Sequence, residues 1–158
     1  MGTLGKAFGS FGAFVAGDRE VIELLLQHAR TYIYTTALPP GVAAAARTAL
    51  ALAQRESWRR ERLQHCVEHF RRGASALGLP ISAAISPIQP LIVGEDARAA
   101  RLGAALYARG FWVGAIRAPT VPAGAARLRI TFSANHSLAD VDALLEALAS
   151  EWRQEFAR

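Results

Sequence analysis

Apolar residues recur with two different periods along this chain, and the changes of period divide it into elements. The clearest stretch is Arg127 to Phe132. Leu128, Ile130 and Phe132 fall on one side, with Arg127, Arg129 and Thr131 on the other. That alternation predicts a half-buried strand. Leu138, Val141, Leu145, Leu148 and Trp152 then recur at helical spacing. Ser137, followed three residues later by Asp140, predicts a capping box at the start of that last helix.

Earlier segments are read the same way. Asp18 is the expected N-cap of a helix through Val21, Ile22, Leu25 and Leu26. Thr31 to Thr36 is β-branched and aromatic, hence extended, and Pro39-Pro40 ends it. A long helix is expected from about Val42 to Leu77, Ala-rich at first, then charged around Trp58, Leu63, Val67 and Phe70. Gly78 and Pro80 close it. Ile85 to Val93 predicts an irregular or edge strand, because Pro87 and Pro90 interrupt it. Asp96 caps a helix carrying Leu102, Leu106 and Tyr107, which ends at Gly110. Phe111 to Ile116 is a short strand. From Pro80 onward the order is strand, helix, strand, strand, helix, a small α+β domain with helices on one side of a sheet. Gly2 to Gly17 is Gly-rich, with paired apolar residues and no N-cap before it, and reads as the inside of a fold.

Size and charge narrow the class. A chain of 158 residues, 52% apolar, suits one ordinary domain. No apolar run reaches the roughly 18 residues of a membrane span. Phe11 to Ala16 is short and has no charged segment before it, so a signal peptide is not expected. Cys66 is the only cysteine, which rules out a disulfide framework. A cytoplasmic protein fits best. The net charge of +5 could signal nucleic acid. Here, however, the arginines mix with acids, as in Arg55 to Arg62, which reads as a solvated helix face.

Against this background Lys6 stands out. It is the one lysine in a chain with seventeen arginines. Lysine can lose its proton and attack a carbonyl, whereas arginine cannot. Gly5, Gly9 and Gly12 leave room for a bulky group nearby. A GC-rich genome that depletes lysine everywhere accounts for the count equally well. A phosphate loop does not fit, since Gly2 is too close to Gly5 and Ala7 replaces the hydroxyl residue after the lysine. His65-Cys66-Val67-Glu68-His69 matches the inverted zinc-peptidase pattern. Five flanking arginines and the lack of a third ligand favour a solvated amphipathic helix and no metal. Cys66 reads as a small packed residue. Arg129, in mid-strand, needs a partner for its planar fork, either an acid elsewhere in the fold or a ligand carboxylate. Arg117 and Thr120 form a second polar cluster on a proline-stiffened loop.

Five segments together resemble one family. Thr3-Leu4-Gly5-Lys6-Ala7-Phe8-Gly9 is similar to the cofactor-lysine motif of the α-oxoamine synthases, and Thr35-Thr36-Ala37-Leu38-Pro39-Pro40 to a segment of the same enzymes. Three more resemble the 8-amino-7-oxononanoate synthase branch of that family. They begin at Ile88, Ile116 and Ala126 and run to Gly94, Gly124 and His136. The resemblance implies an α/β chain, the C-terminal part of a fold-type-I pyridoxal-phosphate transferase ending in a small α+β domain. It implies a large-domain remnant over 1–45, a linking helix over 46–78 and the small domain over 79–158.

The activity implied is the decarboxylative joining of L-alanine to a pimeloyl thioester, carried by coenzyme A or an acyl carrier protein, by a homodimer that uses neither nucleic acid nor membrane. Lys6 would hold pyridoxal phosphate, with Thr3 at its phosphate. Thr35 and Thr36 would serve the neighbouring subunit's phosphate. Arg129 would grip the amino-acid carboxylate, and Arg117 and Thr120 would line the acyl side. Family chains are more than twice as long. The aspartate at the pyridine nitrogen and the histidine over the ring precede the lysine in them. The 158 residues are therefore expected to be a truncated portion, inactive alone. Alternatives are a glycine-using relative, or a non-catalytic remnant serving as an interaction module.

Overall fold

The computed structural model describes residues 1–157. The chain divides into two compact units, Met1–Ser57 and Trp58–Arg158, and each is taken by itself.

The first unit opens with a two-stranded antiparallel ribbon, β1 (Gly2–Thr3) and β2 (Ala13–Phe14), in which Gly2 faces Phe14 and Thr3 faces Ala13. A Cβ at residue 2 would come 2.7 Å from the Phe14 ring, so the glycine lets the ring close over the ribbon. Helix α1 (Arg19–His28) begins after Asp18, which is extended as an N-cap should be but makes no capping side-chain bond. Helices α2 (Arg30–Ile33) and α3 (Pro40–Arg55) follow, the latter with proline at its first position.

Two expectations fail in this unit. Thr31 to Thr36 is not extended, because its first residues form α2. Tyr32 and Ile33 N–H both donate to the Ala29 carbonyl, and Tyr34 N–H to that of Arg30 at 3.1 Å. The Thr35 hydroxyl donates back to the Thr31 carbonyl. These local bonds outweigh β-propensity, which depends on a neighbouring strand. The long helix is also interrupted. At Glu56 the backbone leaves helical geometry (φ −112°, ψ 66°), and Ser57, a residue type that favours helix starts, precedes α4 (Trp58–Ala76). No residue of the first unit is buried.

The second unit holds the core. Strands β3 (Ile88–Gly94), β4 (Gly114–Ile116) and β5 (Ala126–Thr131) form an antiparallel sheet in the order β3-β5-β4. Helices α4, α5 (Asp96–Ala108) and α6 (Leu138–Phe156) supply the remaining layer. Leu91, Val93, Leu128, Ile130 and Phe132 are buried with Phe70 of α4, Leu102 and Leu106 of α5, and Val141, Leu145 and Leu148 of α6. Phe70 tilts against Phe132 with ring centroids 5.1 Å apart. Burying one such side chain contributes about 1.5–3 kcal/mol. α4, expected as part of a linking helix, thus places Cys66, Val67, Phe70 and Ala74 in this core.

Several boundaries follow the expected chemistry. Gly78 has φ +68°, Leu79 N–H reaches back to the Ala74 carbonyl and Gly78 N–H to that of Ser75, the paired bonds of a Schellman end. Ser137 and Asp140 form the capping box. β3 is an edge strand, as its prolines required. It begins at Ile88 rather than Ile85, because Arg71 and the fully buried Gln89 hold the preceding loop. Arg71 donates to the carbonyls of Ser82 and Ala84, and Gln89 to those of Ala84 and Ser86. Asp96 is the first residue of α5 rather than its cap, which is Glu95. β4 is shorter than Phe111 to Ile116. Leu138 is exposed, outside the buried stripe of α6.

Candidate active site

Lys6 stands at the turn of the β1–β2 hairpin. Leu4 N–H donates to the Gly12 carbonyl at 2.9 Å and Ser10 N–H to the Leu4 carbonyl at 3.0 Å, which closes the loop. Gly9 N–H donates to the Lys6 carbonyl at 2.9 Å. Gly9 and Gly12 have φ of +57° and +103°, where glycine alone is unstrained. At Gly12 a Cβ would also lie 2.9 Å from Leu38 Cδ1. Lys6 itself is exposed, and its amine has no hydrogen bond or ion pair among the described residues. Nothing lies within 4 Å of the place a Cβ would take at Gly9. Thr3 is exposed on the same hairpin.

This arrangement fits a phosphate-bearing aldehyde. It needs an unpaired primary amine with open space and a hydroxyl or amide donor close in the chain, and the hairpin supplies both. Thr35 and Thr36, also in the first unit, differ from each other. The Thr35 hydroxyl spends its proton on the Thr31 carbonyl. Thr36 is exposed and makes no hydrogen bond among the described residues.

In the second unit the sheet has one face on the core and one turned away from it. Register puts Arg127, Arg129 and Thr131 of β5 on the outer face, with Pro90 and Ile92 of β3 and Gly114 and Ile116 of β4. Arg129 is exposed and has no ion pair among the described residues. Arg127, which the sequence did not single out, shares this face and donates from Nε to the Ala125 carbonyl at 3.0 Å. Arg117 follows directly on β4, and its carbonyl accepts from Thr120 N–H at 3.0 Å. One turn therefore presents Arg117 and Thr120 together, both exposed. Asp96 at the start of α5 accepts a long hydrogen bond, 3.4 Å, from Ala118 N–H in that turn. Nothing in the sequence alone linked Asp96 to it.

The histidine pattern on α4 does not gather a metal set. His65 is exposed, while His69 Nε2 lies 2.6 Å from Asp142 Oδ1 of α6. No group of three metal-ligating side chains occurs among the described residues. Cys66 is buried, its Sγ 3.5 Å from the His136 carbonyl, as a packed residue would be. A cleft of about 350 Å³ lined by Trp112, Thr131, His136 and Asp140 includes none of the predicted site residues. No helix of the described residues is long and apolar enough to cross a membrane.

Comparison with known proteins shows the family. The family model "Aminotransferase class I and II" matches residues 1–148. The chain belongs to the class I and II aminotransferase family. That family is pyridoxal-phosphate dependent, and its fold accounts for the mixed helices and sheet. Among its curated members, the 8-amino-7-oxononanoate synthase of Saccharophagus degradans is 58% identical over 154 residues, covering 98% of this chain and 39% of that protein. The synthase of Pseudomonas aeruginosa PAO1 is likewise 58% identical over 154 residues, 38% of its length. The chain thus spans about two fifths of these relatives. Among solved structures, 8-amino-7-oxononanoate synthase from Francisella tularensis matches with a TM-score of 0.85 and 34% identity, over 98% of this chain and 45% of that one. Sphingomonas wittichii serine palmitoyltransferase matches with a TM-score of 0.91 and 28% identity, over 99% and 40%.

Proposed function

We propose that this chain supplies the cofactor lysine and the substrate-carboxylate arginine of a cytoplasmic acyltransferase of biotin synthesis, which joins L-alanine to a pimeloyl thioester. The observation that carries the proposal is the 58% identity over 154 residues to relatives named 8-amino-7-oxononanoate synthase. Pyridoxal phosphate, when bound, supplies an electron sink for the α-carbon of the amino acid. The chain's own residues bind and orient. Lys6 offers a primary amine that can lose its proton, which no arginine could do. Thr3 donates to the cofactor phosphate. Thr35 and Thr36 serve the phosphate of the neighbouring subunit in a homodimer. Thr36 is the readier donor, because the Thr35 hydroxyl must first release Thr31. Arg129 holds the amino-acid carboxylate through its fork of donors. Arg117 and Thr120 border the acyl chain and its coenzyme A or acyl carrier protein.

The test is a chimera in which this chain replaces the matched 154 residues of the Pseudomonas aeruginosa relative. With pyridoxal phosphate, L-alanine and a pimeloyl thioester it should release the carrier at a rate near that of its parent. A folded chimera that turns over glycine and not alanine would move the chain to a glycine-using reaction. A folded chimera without turnover on either would contradict the proposal. The 158 residues by themselves should be inactive.

A further inference from the structure

The outer face of the second unit's sheet carries two arginines of β5, and only Arg129 has a ligand in the proposed function. Arg127 lies two residues earlier, so the two Cα atoms are roughly 6.6 Å apart on the same side. Its cross-strand neighbours on this face are Ile92 of β3 and Ile116 of β4, and neither brings a charge. Arg127 is half-buried, as expected of an arginine whose apolar stem lies beside isoleucines while its head reaches water. Two features aim that head. Arg127 Nε donates to the Ala125 carbonyl at 3.0 Å, which fixes one edge of the guanidinium and leaves its two terminal nitrogens without a hydrogen bond among the described residues. The pairing of β3 with β5 also shifts register between Ile92 and Gly94, opposite Arg127 and Ala126. A bulge of this kind bends the strand and re-aims the adjoining side chains. Arg117 comes directly after Ile116, so this end of the face is the one that borders the acyl donor in the proposed function. Two like charges this close on one face repel each other, and a ligand with an anion for each relieves both.

We propose that Arg127 sets specificity for the acyl donor by binding the carboxylate at the far end of a dicarboxylic acyl chain. The inference rests on the proposed function, in which Arg129 holds the amino-acid carboxylate. The acyl carbonyl joins the carbon next to that carboxylate, so the acyl chain starts near Arg129. Running along β5 toward Ile92 and Ile116, its methylenes meet apolar side chains and its terminal carboxylate meets the Arg127 fork. A monocarboxylic acyl chain of the same length would set a methyl group against that guanidinium and leave its donors unpaired, which is the stronger kind of discrimination.

The experiment is calorimetry of the chimera with pimeloyl-coenzyme A and with heptanoyl-coenzyme A, which differ only in a terminal carboxylate against a methyl group. L-alanine is omitted, so binding is read without turnover, and a chimera that does not catalyse still decides the inference. The parent should bind the pimeloyl thioester at least tenfold more tightly than the heptanoyl one. Arg127→Met should remove that preference and keep the heptanoyl affinity within about twofold, which also shows that the variant is folded. Arg127→Lys should keep part of the preference, since the charge remains. Where Arg127→Met does not fold, Arg127→Gln carries the same expectation. An equal loss for both thioesters would overturn the inference, because the arginine would then serve the fold or the shared carrier. So would an unchanged preference in the variant, or no preference in the parent. An Arg127-dependent preference in a chimera without turnover on alanine supports this assignment and contradicts the proposed function.

Discussion

Arg129 of β5 lies directly opposite Pro90 of β3 on one side and Gly114 of β4 on the other. Proline brings no N–H to the ladder, which an edge strand tolerates. Glycine brings no side chain. The guanidinium therefore rises from the outer sheet face between a small ring and bare backbone, with no ion pair among the described residues. The role proposed for it is to hold a ligand carboxylate.

In the chimera, Arg129→Ala should weaken L-alanine binding by about 2–5 kcal/mol, the range for losing one member of a desolvated charge pair. Arg129→Lys should recover only part, because a point charge replaces a two-pronged donor. Titration with alanine reads this directly. An unchanged affinity would remove Arg129 from the carboxylate role.

The capping box predicts an acid-dependent loss of stability. Asp140 accepts from the Ser137 backbone N–H and from its hydroxyl, both at 2.8 Å. The backbone bond first, then the hydroxyl bond and the neighbouring His136, hold its carboxyl below the ordinary value. Because folding lowers this pKa, the contribution is complete above the usual carboxylate range, about 3.9, and fades as pH falls through the lower folded value. Asp140→Asn should therefore cost more stability at pH 7 than at low pH. Ser137→Ala should cost roughly 1 kcal/mol at neutral pH. Urea midpoints of the three proteins at the two pH values check both statements.

Gly73 marks the crossing of α4 over α6. A Cβ there would come 2.3 Å from Leu145 Cδ1 and 3.4 Å from its Cγ. Leu145 is buried, so moving its side chain disturbs its packing. Gly73→Ala should destabilise by about 1–3 kcal/mol despite the better helix propensity of alanine. Gly73→Ala combined with Leu145→Ala should recover part of that loss, and a denaturation midpoint for each would show it.

A polypeptide of residues 58–158 should unfold cooperatively, and one of residues 79–158 should not. The shorter piece removes Phe70, fully buried against Phe132, together with Val67 and Ala74. Losing a Phe-sized group alone costs about 3–5 kcal/mol. Calorimetry of the two pieces decides it.

Elements governed by short-range rules were legible in the sequence. The alternation at Leu128, Ile130 and Phe132 marks β5, and Ser137 with Asp140 marks the start of α6. Gly78 and Gly110 mark helix ends, since both need positive φ. What escaped depends on residues distant in the chain or on competition within the backbone. The 70-residue separation of Cys66 and His136 hides their contact, as it does the closeness of Gly73 and Leu145. The α2 turn is decided by local hydrogen bonds that propensities do not encode. For the site, composition singled out Lys6 and a mid-strand position singled out Arg129. The roles proposed for them rest on the resemblance, and both side chains are exposed.

The most direct test is to find where pyridoxal phosphate is attached. The chimera is incubated with the cofactor, reduced with borohydride, digested and analysed by mass spectrometry. One pyridoxyl adduct is expected, on the peptide holding Lys6, and none in Lys6→Arg, where the guanidinium stays protonated. An adduct on another residue, or one that persists unchanged in Lys6→Arg, would contradict it.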